Sequence, residues 1–304
     1  MKLKDLDMGI RETIDVLLLD VTERETKNKK PYTVLTVTDG EMTVDVKKWD
    51  SVLADFESLK NTVISVSIKS SMYGSEMTYD TDVVVKSYKP VSDFIPKVPL
   101  DSKEMMKEIE SFVVGIKSLS VRSMVLDILN DNLDKLLYWA AAKGMHHAVY
   151  GGLLYHMYRM CKNAVEQCKI YTSLNSDLLI AGTLLHDIGK LKELETSSLG
   201  KADYTMEGSL LGHAYIGMSM IQEYGTKHNV SANEILQLQH MIASHHGNLE
   251  WGAITVPQTI EAKMLHYLDM IDSNMYMFED TFKTMEPNHP SAKVFGLGTS
   301  IYKF

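Results

Sequence analysis

A small β-barrel followed by an all-α domain is the fold class predicted for this chain of 304 residues. Three observations lead there. The pattern is alternating and β-branched up to about residue 90, prolines cluster at Pro90, Pro96 and Pro99, and apolar residues recur at helical spacing from Met105 onward. At roughly 100 to 200 residues per domain the length accommodates two domains, and a hydrophobic content of 45% lets each bury a core.

Five strands are predicted, at Thr13 to Val21, Tyr32 to Thr38, Met42 to Trp49, Thr62 to Ser70 and Thr81 to Tyr88, with turn formers Asn28, Asp39-Gly40 and Gly74 between them. A helical stretch around Ser51 to Ser58 falls between the third and fourth strands, where the OB barrel commonly carries a helix. Residues 1–90 therefore read as an OB-like barrel, although other small barrels share the strand count. Residues 91–100 read as a linker. From 101 to 304 the periodicity is helical. Met105, Ile109, Phe112, Val113 and Ile116 form one stripe, and Val125, Ile128, Leu129, Leu133, Leu136 and Leu137 another. Further helices are expected at about Ala148 to Cys168, Ser176 to His186, Gly208 to Tyr224, Ser231 to Ser244 and Thr259 to Phe278.

Composition narrows the function classes. The formal charge is −9, which excludes a protein that coats nucleic acid through clustered Lys and Arg but not an enzyme that grips it locally. The apolar run Leu178 to Leu185 is far short of the ~20 residues needed to span a bilayer. Residues 1–7 contain no continuous apolar signal segment. Cys161 and Cys168, seven positions apart on one expected helix, are too distant for a disulfide at ~1.5 Å rise per residue. A cytoplasmic protein with no membrane partner is the expectation.

All 11 histidines lie beyond the linker, and the informative ones stand next to Gly, Asp or another His: His146-His147, His156, His186-Asp187, His213 and His245-His246, with Asp269 and Asp272 on a late helix. An imidazole in an apolar helix is costly to bury unpaired. Imidazole with carboxylate suits Mn, Fe, Co, Ni or Zn, and two ions held ~3.5–4 Å apart can activate a water and clamp a phosphoryl group. Asp187 is the natural bridge. No Cys-x-x-Cys and no His-Glu-x-x-His is present. A lone histidine is more often a core or capping residue, and His228, His240, His266 and His289 are read that way.

The ordered series Gly151-Gly152-Leu153-Leu154-Tyr155-His156, Leu184-Leu185-His186-Asp187-Ile188-Gly189-Lys190, Gly212-His213, Ser244-His245-His246-Gly247 and Leu265-His266-Tyr267-Leu268-Asp269 resembles the HD-domain metal-dependent phosphohydrolases. With an OB-like domain in front, and with Ala141-Ala142-Lys143 and His146-His147, the chain is more specifically similar to the YhaM-type 3′–5′ exoribonucleases. The similarity runs over essentially its whole length, including the tail Ser300 to Phe304. The resemblance implies that His156, His186, Asp187 and Asp269 hold one divalent ion. It implies that Asp187 bridges to a second, bound by His213 and His245, with His246 as a further candidate. Spacing alone leaves Asp269 and Asp272 as alternatives, since i and i+3 share a helix face; the family pattern favours Asp269. Mn is the first candidate, with Fe, Co and Ni as alternatives. Lys190 would point its ammonium at a phosphate oxygen, or else be a solvated helix-end lysine. Lys143 and His147 would contact the scissile phosphate or the leaving group, or else His146 and His147 cap the following helix.

In the barrel, Tyr32, Trp49, Tyr73 and Tyr79 are available to stack bases, and Lys47, Lys48 and the Lys27, Lys29, Lys30 group to touch phosphates. Tyr32, Lys48 and Trp49 are the substrate-binding candidates; barrel core is the alternative for the two aromatics. Residues 1–95 hold 13 Lys+Arg against 17 Asp+Glu, net −4, so binding by this part is expected to be modest, local and salt-sensitive.

The expected activity is that of a metal-dependent 3′–5′ exoribonuclease acting on single-stranded RNA, with DNA as a further substrate, by two-metal water activation. A phosphohydrolase of a small nucleotide and a non-catalytic nucleic-acid-binding factor are the alternatives. Two divalent ions would add about +4 where a phosphate must sit, so substrate binding should depend on metal. Met270, Met275, Met277 and Met285 could line a homo-oligomer contact, core packing being the commoner use of such residues.

Overall fold

The computed structural model describes residues 1–26, 28–73, 76–95, 97–143, 149–197, 199, 202–283 and 285–304. The expectations attached to Lys27, Gly74, Pro96, His146 and His147, and to the side chain of Tyr73, lie outside what is described. The chain divides into two compact units, Met1–Lys97 and Val98–Phe304. Among the described residues no helix is long and apolar enough to cross a membrane.

The first unit is a closed barrel of β1 (Arg11–Glu25), β2 (Pro31–Thr38), β3 (Thr43–Trp49), β4 (Val63–Tyr73) and β5 (Glu76–Lys86), in the order β1-β2-β3-β5-β4. A long bent first strand makes closure possible. Arg11 to Leu17 pair with β4, Leu17 to Glu25 pair with β2, and a register shift between Leu18 and Asp20 turns the strand from one neighbour to the other. A short parallel ladder, Val46↔Tyr79 to Lys48↔Thr81, shuts the barrel between β3 and β5. Five strands closed in this order are the OB arrangement. Alternate residues fill the interior, with Val16, Leu18, Leu35, Val37, Val46, Ile64, Val66 and Ile68 buried together. The expected helix at 51–58 is instead two separate 3₁₀ turns, Leu53–Asp55 and Glu57–Leu59. β5 starts five residues before the expected Thr81, because a two-stranded extension of the hairpin needs no apolar alternation.

The second unit is helical. Its helices are α1 (Ser102–Val114), α2 (Leu119–Asp131), α3 (Leu133–Leu136), α4 (Gly152–Ile170), α5 (Ser176–Leu185), α6 (Lys190–Glu193), α7 (Met206–Lys227), α8 (Ala232–Ser244) and α9 (Ile260–Phe282). Side-chain caps start several of them: Asp101 accepts from Lys103 and Glu104, Asn175 from Asp177 and Leu178, Thr205 from Gly208 and Ser231 from Glu234. α5 is buried all round from Leu178 to Leu185, as its uninterrupted apolar sequence requires. It packs against α1, α2, α4, α8 and α9. A two-stranded ribbon, β6 (Leu194–Thr196) with β7 (Ala202–Tyr204), departs from the all-α expectation; three residues are too few to show a strand period.

Candidate metal centre

The last carbonyls of a helix have no partner within it. At the end of α5 the Nδ1 of His186 lies 2.8 Å from the Thr183 carbonyl, and at the end of α8 the Nδ1 of His245 lies 2.6 Å from the Ile242 carbonyl. A carbonyl only accepts, so in both rings Nδ1 carries the proton and Nε2 offers its lone pair inward. Carboxylates set two further rings in the same way. On α4, His156 places Nδ1 2.8 Å from Asp272 Oδ2, and on α7, His213 places Nδ1 3.0 Å from Glu193 Oε1. The same Glu193 oxygen accepts from the backbone N–H of His213 at 2.9 Å. That N–H is available because α7 is kinked at Gly212, whose φ is +72°.

Four imidazoles from four helices thus converge in two pairs. The Nε2 atoms of His156 and His186 are 3.2 Å apart, and those of His213 and His245 are 3.4 Å apart. Asp187 sits between the pairs and divides its carboxylate. Oδ2 is 3.3 Å from His186 and 3.8 Å from His156; Oδ1 is 3.6 Å from His213 and 3.9 Å from His245. Asp269 Oδ1 stands 3.5 Å from Nε2 of His156, whereas Asp272 is on the Nδ1 side of that ring and is itself held by Arg159 Nε at 2.6 Å. His246 adds a third nitrogen beside His213 and His245, its ring 4.1 Å from that of His245.

The donor set fits divalent cations. In each of the groups His156, His186, Asp187 and His213, His245, His246, the ligand atoms lie within 4.8 Å of one another. Asp187 Oδ1 is buried with no hydrogen-bond partner, a costly arrangement that a cation relieves. The electrostatics set the rings apart. Burial opposes charge on His156, but the Asp269 and Asp272 carboxylates outweigh it and push that ring up to about 10, so a cation there would have to displace a proton. Burial likewise opposes the charge of Asp187, and Lys190 with His186 holds it well below the usual carboxylate range. Burial, reinforced by His246 and His186, pulls His245 far below its usual value, so that ring is neutral, as a metal ligand must be.

Close helix packing brings these groups within reach. A Cβ on Gly189 would strike the His213 carbonyl, so the glycine two residues after Asp187 lets α7 approach. Lys190 follows, its Nζ 2.7 Å from Asp187 Oδ2. A cavity of about 460 Å³ opens beside the cluster, lined by Asp187, Lys190, His245, His246 and Asp269 and extending to Trp251 and Asn274. Lys143 is exposed, paired with Asp203 at 2.8 Å, and not part of that lining.

The helices thus bring a His, a His-Asp step and a late helical Asp into one buried cluster that could hold metal ions. Residues 153–274 match the HD domain family. An OB-like barrel thus precedes a segment that matches the HD domain, and an HD domain implies a metal-dependent phosphohydrolase. Among solved structures, the second OB-fold domain of replication protein A from Methanococcus maripaludis is 21% identical, with 30% of this chain and 96% of that chain covered and a TM-score of 0.24. A Leishmania major Friedlin chain described as an aspartyl-tRNA synthetase is 9% identical, with 76% of this chain and 52% of that one covered and a TM-score of 0.20. Neither score carries an argument; the barrel's character rests on its strand order and closure.

On the barrel, Tyr32 and Trp49 are register partners on β2 and β3, with ring centroids 4.9 Å apart and Trp49 exposed. Lys48, half-buried, neighbours them, its Nζ 3.4 Å from the Trp49 carbonyl. The two aromatics are therefore a surface pair and not barrel core. Glu193, Trp251 and His266 escape sequence reasoning as site residues. Glu193 meets His213 twenty positions away, and no local spacing signals that pairing.

Proposed function

We propose that this protein is a metal-dependent 3′–5′ exoribonuclease that shortens single-stranded RNA, with single-stranded DNA as a further substrate. The observation that carries the reading is the divided carboxylate of Asp187, one oxygen toward His156 and His186 and the other toward His213 and His245. In it, His156, His186, Asp187 and Asp269 hold one ion, and Asp187, His213 and His245, with His246, hold the second. Mn leads Fe, Co and Ni as the ion. Such ions supply Lewis acidity at the phosphate and lower the pKa of water.

The chain's own residues do the rest. Asp272, Glu193 and the carbonyls of Thr183 and Ile242 accept from each Nδ1, which fixes the ring orientations and leaves Nε2 as the nitrogen that would face an ion. Lys190, inside the cavity wall, offers an ammonium to a phosphate oxygen. Tyr32, Lys48 and Trp49 give the barrel a stacking pair with a cation beside it, suited to a single strand because every base has a π-face. The 3′ to 5′ direction follows from the family resemblance.

A cavity of about 460 Å³ also admits a free nucleotide, which favours a small-nucleotide phosphohydrolase as the second reading. One assay separates the two. RNA labelled at either end is incubated with Mn²⁺ beside a panel of mononucleotides and cyclic dinucleotides. Stepwise shortening from the 3′ end is expected; release of phosphate from small nucleotides with RNA left intact would overturn the proposal.

A further inference from the structure

Beyond the cluster of ligand candidates, the cavity lining changes character. Trp251, Met270 and Met277 make it apolar, and Ser273 and Asn274 add two polar groups. Trp251 is 58% exposed, a large apolar surface left open to solvent. The indole nevertheless stands on a hydrogen-bonded turn. Leu249–Trp251 is a 3₁₀ turn capped by Asn248, and it closes with Trp251 N–H to the Asn248 carbonyl at 3.0 Å and Gly252 N–H to the Leu249 carbonyl at 3.1 Å. Ile254 N–H then bonds the Ala243 carbonyl at 2.8 Å, tying the segment to the end of α8, two residues before His245. The Trp251 ring centroid is 6.3 Å from that of buried His266, whose Nδ1 donates to the His245 carbonyl at 2.9 Å. The turn that carries this exposed indole is therefore tied to the same backbone as a proposed metal ligand.

The volume of about 460 Å³ lies in the range of single small-molecule sites, enough for one nucleotide unit. A phosphate drawn to Lys190 and the ligand cluster would leave its sugar and base to the remaining lining. A flat aromatic held in place gives up little conformational freedom on stacking. The geometry points to Trp251 as the platform on which the base of the nucleotide being removed stacks, with the Asn274 amide, both donor and acceptor, facing the base edge without selecting one base. The inference rests on the proposed nuclease reading, since it assigns that site its nucleotide-recognition residue.

The test compares two RNA oligomers in Mn²⁺, one with an ordinary 3′-terminal nucleotide and one whose terminal nucleotide is abasic. Wild-type protein is expected to prefer the base-bearing end through KM. In Trp251→Ala that preference should fall by about 5- to 150-fold, the range that loss of one base–aromatic stack produces, and Trp251→Phe should restore most of it. Calorimetric titration with a mononucleotide, with ribose 5-phosphate as control, reports binding without turnover. If wild type and Trp251→Ala shorten RNA with the same preference, the platform is wrong while the nuclease reading stands. If wild type does not shorten RNA, the nuclease reading fails and the titration decides. Mononucleotide binding lost in Trp251→Ala and kept in Trp251→Phe supports the platform, and equal binding of ribose 5-phosphate overturns it.

Discussion

Asp272 Oδ2 accepts from Nδ1 of His156 at 2.8 Å, on the side of the ring remote from Asp187, while Arg159 holds the other Asp272 oxygen at 2.6 Å. The pair makes Asp272 an orienting group, which fixes the tautomer and raises the basicity of a ligand. Asp272→Asn is expected to weaken Mn²⁺ binding about 10- to 100-fold, as measured by calorimetric titration. Unchanged affinity would show that His156 does not depend on this carboxylate.

Among the described residues, Asp187 is the acid shared by both groups of imidazoles. Asp187→Asn keeps the shape but removes the charge. Metal analysis should show the bound Mn falling from two ions per chain in the wild type to one or none. Single-turnover cleavage should slow by at least ~10³-fold, as loss of several kcal/mol of charge stabilisation requires. Cleavage at the wild-type rate would eliminate the bridging role.

Chelation is a test of stability as well as of activity. The proposed ligands come from α4, α7 and α9 and from the ends of α5 and α8, so an ion binds the folded unit and not the open chain. At metal concentrations near 100 times Kd the gain is about 2.7 kcal/mol. A chelator should lower the Tm of the wild type and leave that of Asp187→Asn nearly where it was.

Two glycines on facing segments should respond in opposite directions. A Cβ at Gly189 meets the His213 carbonyl, a backbone atom that cannot turn aside, whereas a Cβ at Gly217 finds its nearest neighbours at 3.6 Å. Gly189→Ala is expected to cost about 1–3 kcal/mol or more. Gly217→Ala, inside α7, should be neutral or stabilising by up to about 1 kcal/mol. Urea unfolding of both variants checks the contrast.

The barrel carries a separate acid dependence at Asp39. Burial works against its charge, but backbone N–H groups outweigh burial and lower its pKa from 3.8. Oδ1 accepts from Glu41 at 2.9 Å and Met42 at 2.8 Å, and Oδ2 from Leu3 at 2.6 Å. A carboxylate lowered on folding stabilises above its unfolded value, and that contribution is lost as pH falls through the folded one. Asp39→Ala should therefore cost about 1–3 kcal/mol at neutral pH. Its deficit against wild type should shrink as the pH drops below about 4. Urea unfolding at two pH values gives the answer, and a deficit independent of pH would mean that the charge is not what Leu3, Glu41 and Met42 require.

Much of this architecture is legible locally. The strand alternation of residues 32–38 and 43–49, the helical stripe from Met105 to Ile116 and the wholly apolar Leu178 to Leu185 are short-range consequences of which faces must be buried. The His-Asp step and the doublet His245-His246 are likewise visible as sequence, because an imidazole at the end of an apolar helix has to be satisfied by something. The 3₁₀ turns at 53–55 and 57–59 and the ribbon of 194–196 with 202–204 were not legible, since so few residues carry no period.

What only the tertiary structure decided is which atoms face which. Spacing along α9 puts Asp269 and Asp272 on one helical face, yet one stands at Nε2 of His156 and the other at Nδ1. Glu193 and Trp251 join the site through contacts with residues far along the chain. Composition and period are set by burial, a property each segment has by itself. The direction of a lone pair is set by partners that meet only when the helices have packed.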